Sequence, residues 1–405
     1  MDGSQLIAAV SRDSVSSPVR RRARGQSPQL NPRIAKFLAE QQPATPCLVV
    51  DLDEVARAYR LLEEYLPLAR IFYAVKANPA PEVVGMLRGM GSSFDVASRG
   101  EVDLCLALGA APEKISFGNT IKKERDIAYA WDRGIRLFAF DSEEELLKLA
   151  RAAKGSRVFC RILVDSAGAE WPLSRKFGCS PEMATELLRR ARDLGLDPYG
   201  VSFHVGSQQT DLEQWDGAIG RVAQMFSALA KADLELKMVN IGGGFPARYD
   251  KEVKGVEAYA AAVMRAVTRH FGNQLPEIIV EPGRSIVGDA GVLQSEVVLI
   301  SKKAANEEKR WVYLDVGKFN GLAETMDESI KYRIRTAADG GATGPVVLAG
   351  PTCDSADILY EKTEYQLPMG LKVGDKVEFL STGAYTSTYS SVGFNGFEPL
   401  KTYCI

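Results

Sequence analysis

The stretch "RIFYAVKANPAPEVV", residues 70–84, carries the pattern that decides the fold. Five of the six residues from Ile71 to Lys76 are apolar or aromatic, which predicts a buried strand, and the "PEVVGMLRGM" that follows favours a helix. A lysine at the end of a buried strand is expensive to remove from water without a partner. Either Lys76 points past the strand end into solvent, or the fold needs a lysine at that position.

Seven more β-like runs follow this one, and amphipathic stretches such as "SEEELLKLARAA" and "SPEMATELLRRARDLG" lie between them. Alternating strands and helices imply parallel strands with right-handed crossovers. Eight such units suit a (β/α)8 barrel of the α/β class, and a doubly wound open sheet is the alternative. The predicted strands are 71–77, 93–98, 115–119, 137–142, 158–165, 200–207, 238–245 and 277–284.

Polar residues fall at or just after the ends of these runs. In a barrel those ends meet on one face, where catalytic groups collect. Any one of them alone is more often a helix cap or a loop residue, but eleven on one predicted rim favour a functional site. They are Lys76, Asp95, Ser98, Asn119, Asp141, Arg161, Asp165, His204, Ser207, Glu281 and Arg284.

The length of 405 residues exceeds what a single hydrophobic core usually organises, so two domains are expected. Residues 1–35 are predicted to be a disordered basic tail, with a transit peptide as the less favoured alternative. Residues 36–290 would form the barrel. Residues 291–405 read as a second, mainly β domain, and "LVVDLDEV" (48–55) either supplies that domain's opening strand or leads into the barrel.

Composition excludes several classes of protein. The net charge of −2 provides no basic field for nucleic acid, and no apolar run approaches the length of a membrane span. Six scattered cysteines without a CxxC pair and only two histidines argue against a metal centre and for reduced thiols, so we expect a cytoplasmic protein.

Two motifs late in the barrel predict an anion site. "NIGGGFP" (240–246) follows the seventh run and "EPGR" (281–284) the eighth, and barrels often bind phosphate at these loops. A rim lysine opposite a phosphate site suggests a Schiff base with pyridoxal 5'-phosphate (PLP). Glu281 is placed to pair with the pyridine nitrogen, and His204 to stack on the ring, unless His204 is simply a hydrogen-bonded core residue.

The motifs "YAVKAN", "FDVAS", "HVGSQ", "NIGGGFP", "EPGR", "GPTCDSAD" and "GAYTSTYSSVGFNGF" together resemble the alanine-racemase-type (fold III) PLP decarboxylases over roughly residues 44 to 400, and most of all the ornithine/lysine decarboxylases. The resemblance implies that Lys76 forms the Schiff base and that Asp95 supports it. It gives cofactor-binding roles to Lys76, Asp95, Arg161, His204, Ser207, Gly242, Gly243, Gly244, Glu281, Arg284 and Tyr385.

The same resemblance assigns a role to "GPTCDSAD" (350–357) in the second domain. In this family the equivalent loop reaches into the active site of the other subunit. Cys353 would then return a proton to the α-carbon after CO2 leaves, and Asp354 would bind the distal ammonium of a small basic amino acid. A homodimer with two shared active sites is therefore implied.

Substrate choice depends on "LDVGKFNGLAETMDESIKY" (314–332), which lacks the Tyr-Asp-His-Ala-type sequence of eukaryotic ornithine decarboxylases. Glu324 is predicted to read the distal amine instead, with Asp327 as its backup. We expect decarboxylation of L-ornithine, L-lysine or both to putrescine and cadaverine. The alternatives are a diaminopimelate decarboxylase and a non-catalytic decarboxylase-like binding protein.

Overall fold

The computed structural model describes residues 29–165, 167–171 and 176–405. Eight parallel strands close into a barrel in which sequence neighbours are also spatial neighbours, and the last strand pairs with the first. The predicted barrel is confirmed and the open sheet is excluded. The barrel strands are Ala69–Ala74, Ser93–Val96, Ile115–Phe117, Leu137–Phe140, Arg157–Arg161, Asp197–Ser202, Met238–Asn240 and Glu277–Val280.

Helices cover the outside of the barrel, and the two amphipathic patterns named above form helices at 143–152 and 181–193. Each begins at a serine whose hydroxyl accepts a backbone N–H, because the first N–H groups of a helix have no partner within it. The α-helices are Pro32–Gln41, Leu52–Tyr65, Pro81–Gly89, Arg99–Ala107, Glu124–Asp132, Glu143–Ala152, Pro181–Asp193, Gln214–Ala230, Val256–Phe271 and Arg284–Val287.

The second domain is a mixed β-sheet that follows the barrel from Gly291 onward. A separate two-stranded antiparallel sheet, formed by Ala169–Trp171 and Ser207–Gln209, lies in the loops that follow barrel strands. The strands of the β domain are Cys47–Val50, Gly291–Ser301, Arg310–Leu314, Ile334–Thr336, Thr343–Ala349, Ile358–Pro368, Lys376–Leu380 and Lys401–Cys404.

The N-terminal segment belongs to this β domain. Cys47–Val50 pairs antiparallel with Gly291–Ser301 and parallel with Lys401–Cys404, so the first of the two alternatives for the 48–55 segment is the correct one. The predicted tail extends too far, because the helix Pro32–Gln41 begins inside it and packs Ile34 against the sheet. Residues 1–28 of that tail lie outside the described residues.

The barrel strands end earlier than predicted, and this difference explains how a lysine can follow so closely after a buried strand. Lys76 does not lie on the strand Ala69–Ala74 but in the 3-10 turn Val75–Ala77 that follows it. The segment that follows the strand Lys376–Leu380 of the second domain holds this turn in place. The Tyr385 N–H donates to the Ala77 carbonyl at 2.9 Å, and the Thr388 hydroxyl donates to the Lys76 carbonyl at 3.2 Å. The second domain thus positions the lysine directly.

Within the described residues no helix has the length and apolar character that a membrane crossing requires. The same part of the chain contains no cluster of three or more histidine, cysteine or acidic side chains suited to a metal ion. All six cysteines are free thiols, of which only Cys353 is exposed.

Candidate functional site

Lys76 and Asp95 form an ion pair at the mouth of the barrel. The Nζ atom lies 3.4 Å from Asp95 Oδ2, and 47% of the lysine side chain is exposed while Asp95 is almost fully buried. Burial alone would lower the pKa of Lys76, but the nearby Asp95, Tyr385 and Glu281 outweigh it and raise that pKa. The ammonium is therefore partnered, and its tip faces the open side of the site.

Glu281 follows the eighth barrel strand and is partly buried, within electrostatic reach of the lysine. Burial, with a smaller contribution from Asp95, raises the pKa of Glu281 to about 7. The Asn240 side chain donates a hydrogen bond to Glu281 Oε1 and accepts one from the Gly242 N–H at 2.9 Å. Asn240 thus connects this carboxyl to the glycine loop. Asn240 lies in the motif "NIGGGFP", of which only the glycines were predicted to contact the cofactor.

The imidazole ring of His204 is held in one orientation and is neutral. Its Nδ1 accepts a hydrogen bond from the Gly206 N–H at 3.0 Å, which leaves the ring proton on Nε2. Burial, Arg161 and Lys76 together hold the pKa of His204 well below its usual value. The ring lies against the glycine loop, since a β-carbon on Gly243 would be 3.4 Å from His204 Nε2.

The glycine run packs so tightly that side chains are excluded. Gly242 and Gly244 have φ angles of 67° and 98°, and a β-carbon on Gly242, Gly243 or Gly244 would lie 2.4–2.7 Å from a carbonyl oxygen. The Gly242 N–H donates to Asn240 Oδ1 and is therefore not available to an anion, while the cofactor-binding role of Gly242 stays a prediction. Within the described residues the N–H groups of Gly243 and Gly244 have no acceptor and remain available to an anion.

Arg284 lies behind Ser207 in a buried network, and here the prediction for Glu324 is corrected. Both carboxylate oxygens of Glu324 accept hydrogen bonds from the Arg284 guanidinium, and Glu324 Oε2 lies 2.7 Å from Arg284 Nη1. Both side chains are at most 4% exposed. Glu324 therefore presents no free carboxylate to a substrate ammonium. The physical reason is that a buried carboxylate requires a cation, and Arg284 supplies it.

Asp327, the backup to Glu324, lies on the exposed side of the same turn with a positive φ of 52°. Its proposed role remains a prediction. Five other predicted rim residues have local structural contacts. Ser98 caps a helix, and the side chains of Asn119, Asp141 and Asp165 make hydrogen bonds to backbone groups. The Ser207 hydroxyl accepts from the Arg284 side chain. Of these, only Ser207 also lies in the anion site.

Cys353 and Asp354 lie on an exposed loop of the β domain. The Cys353 N–H donates to Asn395 Oδ1 at 2.9 Å, and Asp354 Oδ1 accepts from Ala356 N–H. In the described part of the chain neither residue has a hydrogen bond or ion pair with the barrel site. Buried Asp357 shapes the loop by accepting from Lys318 N–H and from the N–H and hydroxyl of Thr352.

The residues present fit PLP. A half-exposed lysine suits its aldehyde, and a partly buried glutamic acid with a pKa of about 7 suits a proton-bearing ring nitrogen. The hydroxyl of Ser207 and the N–H groups of Gly243 and Gly244 suit its phosphate. The chemistry of Lys76 and Glu281 thus suits the aldehyde and the ring nitrogen of PLP. Fold and site together define a barrel enzyme of the PLP-dependent class.

Comparison with known proteins gives the family within that class. A family model described as "Pyridoxal-dependent decarboxylase, pyridoxal binding domain" matches residues 52–288. The chain belongs to this family of pyridoxal-dependent decarboxylases.

Three relatives illustrate its range. A lysine/ornithine decarboxylase from Selenomonas ruminantium is 36% identical, with 91% of each chain covered. The structure of a lysine/ornithine decarboxylase from Vibrio vulnificus with cadaverine aligns with a TM-score of 0.84 at 32% identity, covering 93% of this chain and all of that one. Antizyme inhibitor 2 from Xenopus laevis is 34% identical over 86% of this chain and 78% of its own length. Overall identity therefore does not separate enzymes from proteins named as inhibitors, and the site residues must do so.

Replacing Asn240 tests the connection between Glu281 and the glycine loop. Its amide donates to the charged form of Glu281, so Asn240→Ala should raise the pKa of that carboxyl further above about 7. A hydrogen bond to a charged group contributes about 1.5–3 kcal/mol, so PLP affinity near pH 7 should fall about tenfold or more and recover as the pH rises. Equilibrium PLP titration from pH 6 to pH 9 measures this.

Asn320→Ala is the matched control, because Asn320 bridges a glycine N–H and a carbonyl in the β domain in a similar way. It should leave PLP affinity and its pH dependence unchanged. A pH-independent loss in Asn240→Ala would show that Asn240 acts only on the loop and not on Glu281.

Proposed function

We propose that this protein is a PLP-dependent decarboxylase that converts L-ornithine, L-lysine or both to the corresponding diamine and CO2. The observation that carries the proposal is the pairing of Lys76 with Asp95 at the barrel mouth, within electrostatic reach of Glu281. The names of the relatives support the choice of substrate class.

Each site residue has a defined task in this proposal. Lys76 would hold the cofactor covalently, and Asp95 keeps the lysine oriented. His204 would cover one face of the ring, and because its pKa is low it would add no positive charge there. Glu281 would pair with the ring nitrogen. Ser207, Gly243 and Gly244 would contact the phosphate, with Arg284 behind Ser207 and Tyr385 beside the lysine turn.

When bound, PLP supplies an electron sink for the bonding pair released as CO2 leaves the α-carbon. The chain must then supply a proton, and the Cys353 thiol is the exposed donor that we assign to this step. Because Cys353 and Asp354 are not in contact with the barrel site of their own chain, we assign both to the site of a second subunit. Val392 and Phe394, exposed apolar residues beside Asn395, suit such an interface.

The distal ammonium of the substrate needs a carboxylate, and Asp354 with Asp327 remain the candidates now that Glu324 is paired with Arg284. L-Ornithine and L-lysine differ by one methylene. Such a difference is worth about 1–3 kcal/mol in a binding pocket, so activity on both is expected.

The two alternatives make different demands. A diaminopimelate decarboxylase needs a cation for the second carboxylate of its substrate, and Arg284, whose five N–H donors are all engaged, does not provide it. A non-catalytic homologue has no need of Lys76, Glu281 and Cys353, all of which are present here.

A direct assay tests the proposal. Purified protein with PLP should release CO2 from L-ornithine, L-lysine or both, and much less from L-arginine or meso-diaminopimelate. Release from diaminopimelate alone would overturn the substrate assignment, and no release from any of the four would overturn the enzymatic one.

A further inference from the structure

Arg284 has no unsatisfied donor. Its Nε and Nη2 atoms lie 3.2 and 3.1 Å from Ser207 Oγ, Nη1 lies 2.6 Å from the Tyr249 hydroxyl, and Glu324 accepts from both terminal nitrogens. A guanidinium has five N–H groups, and these contacts engage all of them. Arg284 can therefore contact a phosphate only by releasing one of these partners.

Glu324 is the partner that neutralises the arginine. It lies in the 3-10 turn Ala323–Glu328 of the second domain, and it forms a forked, buried ion pair with Arg284, with both side chains at most 4% exposed. Burial alone would lower the pKa of Arg284, but the Glu324 carboxylate raises it well above the usual value. Arg284 therefore stays charged, and the carboxylate of Glu324 is its counter-ion in the ion pair.

Ser207 is the residue of the anion site that contacts this pair. Its oxygen accepts from Arg284, and a hydroxyl has one proton of its own to donate. That proton is free for a phosphate oxygen. Arg284 thus polarises and orients Ser207, while an incoming dianion experiences the attraction of Arg284 together with the repulsion of Glu324.

We propose that Glu324 is a positioning residue of the phosphate site, which fixes the Arg284 guanidinium against Ser207 and offsets its positive charge, so that it limits the affinity for PLP. This inference rests on the proposed function only in taking PLP as the ligand. It reassigns Glu324 from reading the substrate's distal end to setting the affinity of the cofactor.

Glu324→Gln separates charge from position. The amide keeps an acceptor for the guanidinium but removes the negative charge, so the buried arginine lacks a counter-ion until an anion binds. We expect the apoprotein to melt at a lower temperature, and PLP to bind about tenfold more tightly than to the wild type. Inorganic phosphate should likewise raise the melting temperature of the variant apoprotein more than that of the wild type.

Glu324→Asp is the complementary variant, since it keeps the charge and shortens the side chain by one methylene. The fork on Arg284 is then broken while the repulsion of phosphate remains, so PLP affinity should fall. Opposite changes in two variants of one residue are not expected from structural damage, which weakens binding in both.

Glu378→Gln is the matched control. Glu378 pairs with Arg335 at 3.0 Å in the β sheet and contacts no residue of the anion site. Its PLP and phosphate affinities should equal those of the wild type. If the Glu324→Gln apoprotein does not fold alone, its recovery on refolding with millimolar inorganic phosphate supports the proposal, and failure to recover with phosphate or PLP contradicts it.

The overturning result is equally specific. If Glu324→Gln and Glu324→Asp both bind PLP as the wild type does but raise KM for the amino acid, Glu324 reads the substrate and the proposal is wrong. PLP and phosphate binding are measured without turnover, so a protein that binds PLP but releases no CO2 would disprove the decarboxylase function and leave this inference standing.

Discussion

Lys76→Ala should abolish both the visible absorption of the lysine-bound cofactor and the decarboxylase activity. The Lys76 turn is fixed by Tyr385 and Thr388, and among the lysines of the described residues Lys76 is the one that pairs with Asp95. Loss of the group that forms the covalent link with the cofactor should lower kcat by about a thousandfold or more. Absorption spectra and CO2 release on the same sample measure the two effects.

The control for this prediction is Lys122, a lysine that is buried rather than half-exposed. Lys122 has a pKa lowered to about 8 by burial, so by reactivity alone it would be the better nucleophile. Its side chain is fully buried, however, and its Nζ donates to the carbonyls of Asn119 and Ala139 at 2.7 and 2.6 Å and pairs with Glu145. Lys122→Met should destabilise the fold yet keep the absorption band. Retention of the band in Lys76→Ala would contradict the assignment of Lys76.

The barrel could be predicted because its signals are local. Each strand is a short apolar run, each following helix has a cap or a polar face, and the order of eight such units leaves few topologies. The β domain gave a weaker signal. Its sheet joins Cys47–Val50 to Lys401–Cys404, strands from opposite ends of the chain, and nothing in either segment specifies a partner so distant in sequence.

The site was predictable to the extent that its functional side chains lie directly after the barrel strands. Lys76, His204 and Glu281 come directly after barrel strands, and the topology alone brings them together. The sequence suggested a substrate ammonium as the partner of the Glu324 carboxylate. It gave no sign that the carboxylate forms a buried ion pair with Arg284 instead. Tyr249, which also accepts from Arg284, lies in a loop and offered no signal at all.

The arrangement of Cys353 predicts that the active site is shared between two subunits. Cys353→Ala should lower activity by about a hundredfold or more, because a positioned proton donor is lost. When Lys76→Ala and Cys353→Ala chains with different tags are co-expressed, each mixed dimer pairs the intact Lys76 of one chain with the intact Cys353 of the other.

If the sites are composite, the isolated mixed dimers should regain about half of the wild-type activity, because one of their two sites is complete. Mixed dimers of Lys76→Ala with the double variant Lys76→Ala/Cys353→Ala have no complete site and should stay inactive. If each site were built from one chain, every site in the first mixture would lack one of the two groups, and no activity would return. Recovery therefore depends on the Cys353 loop, held by Asn395 and Asp357 on the outside of its own subunit, reaching the Lys76 of the other.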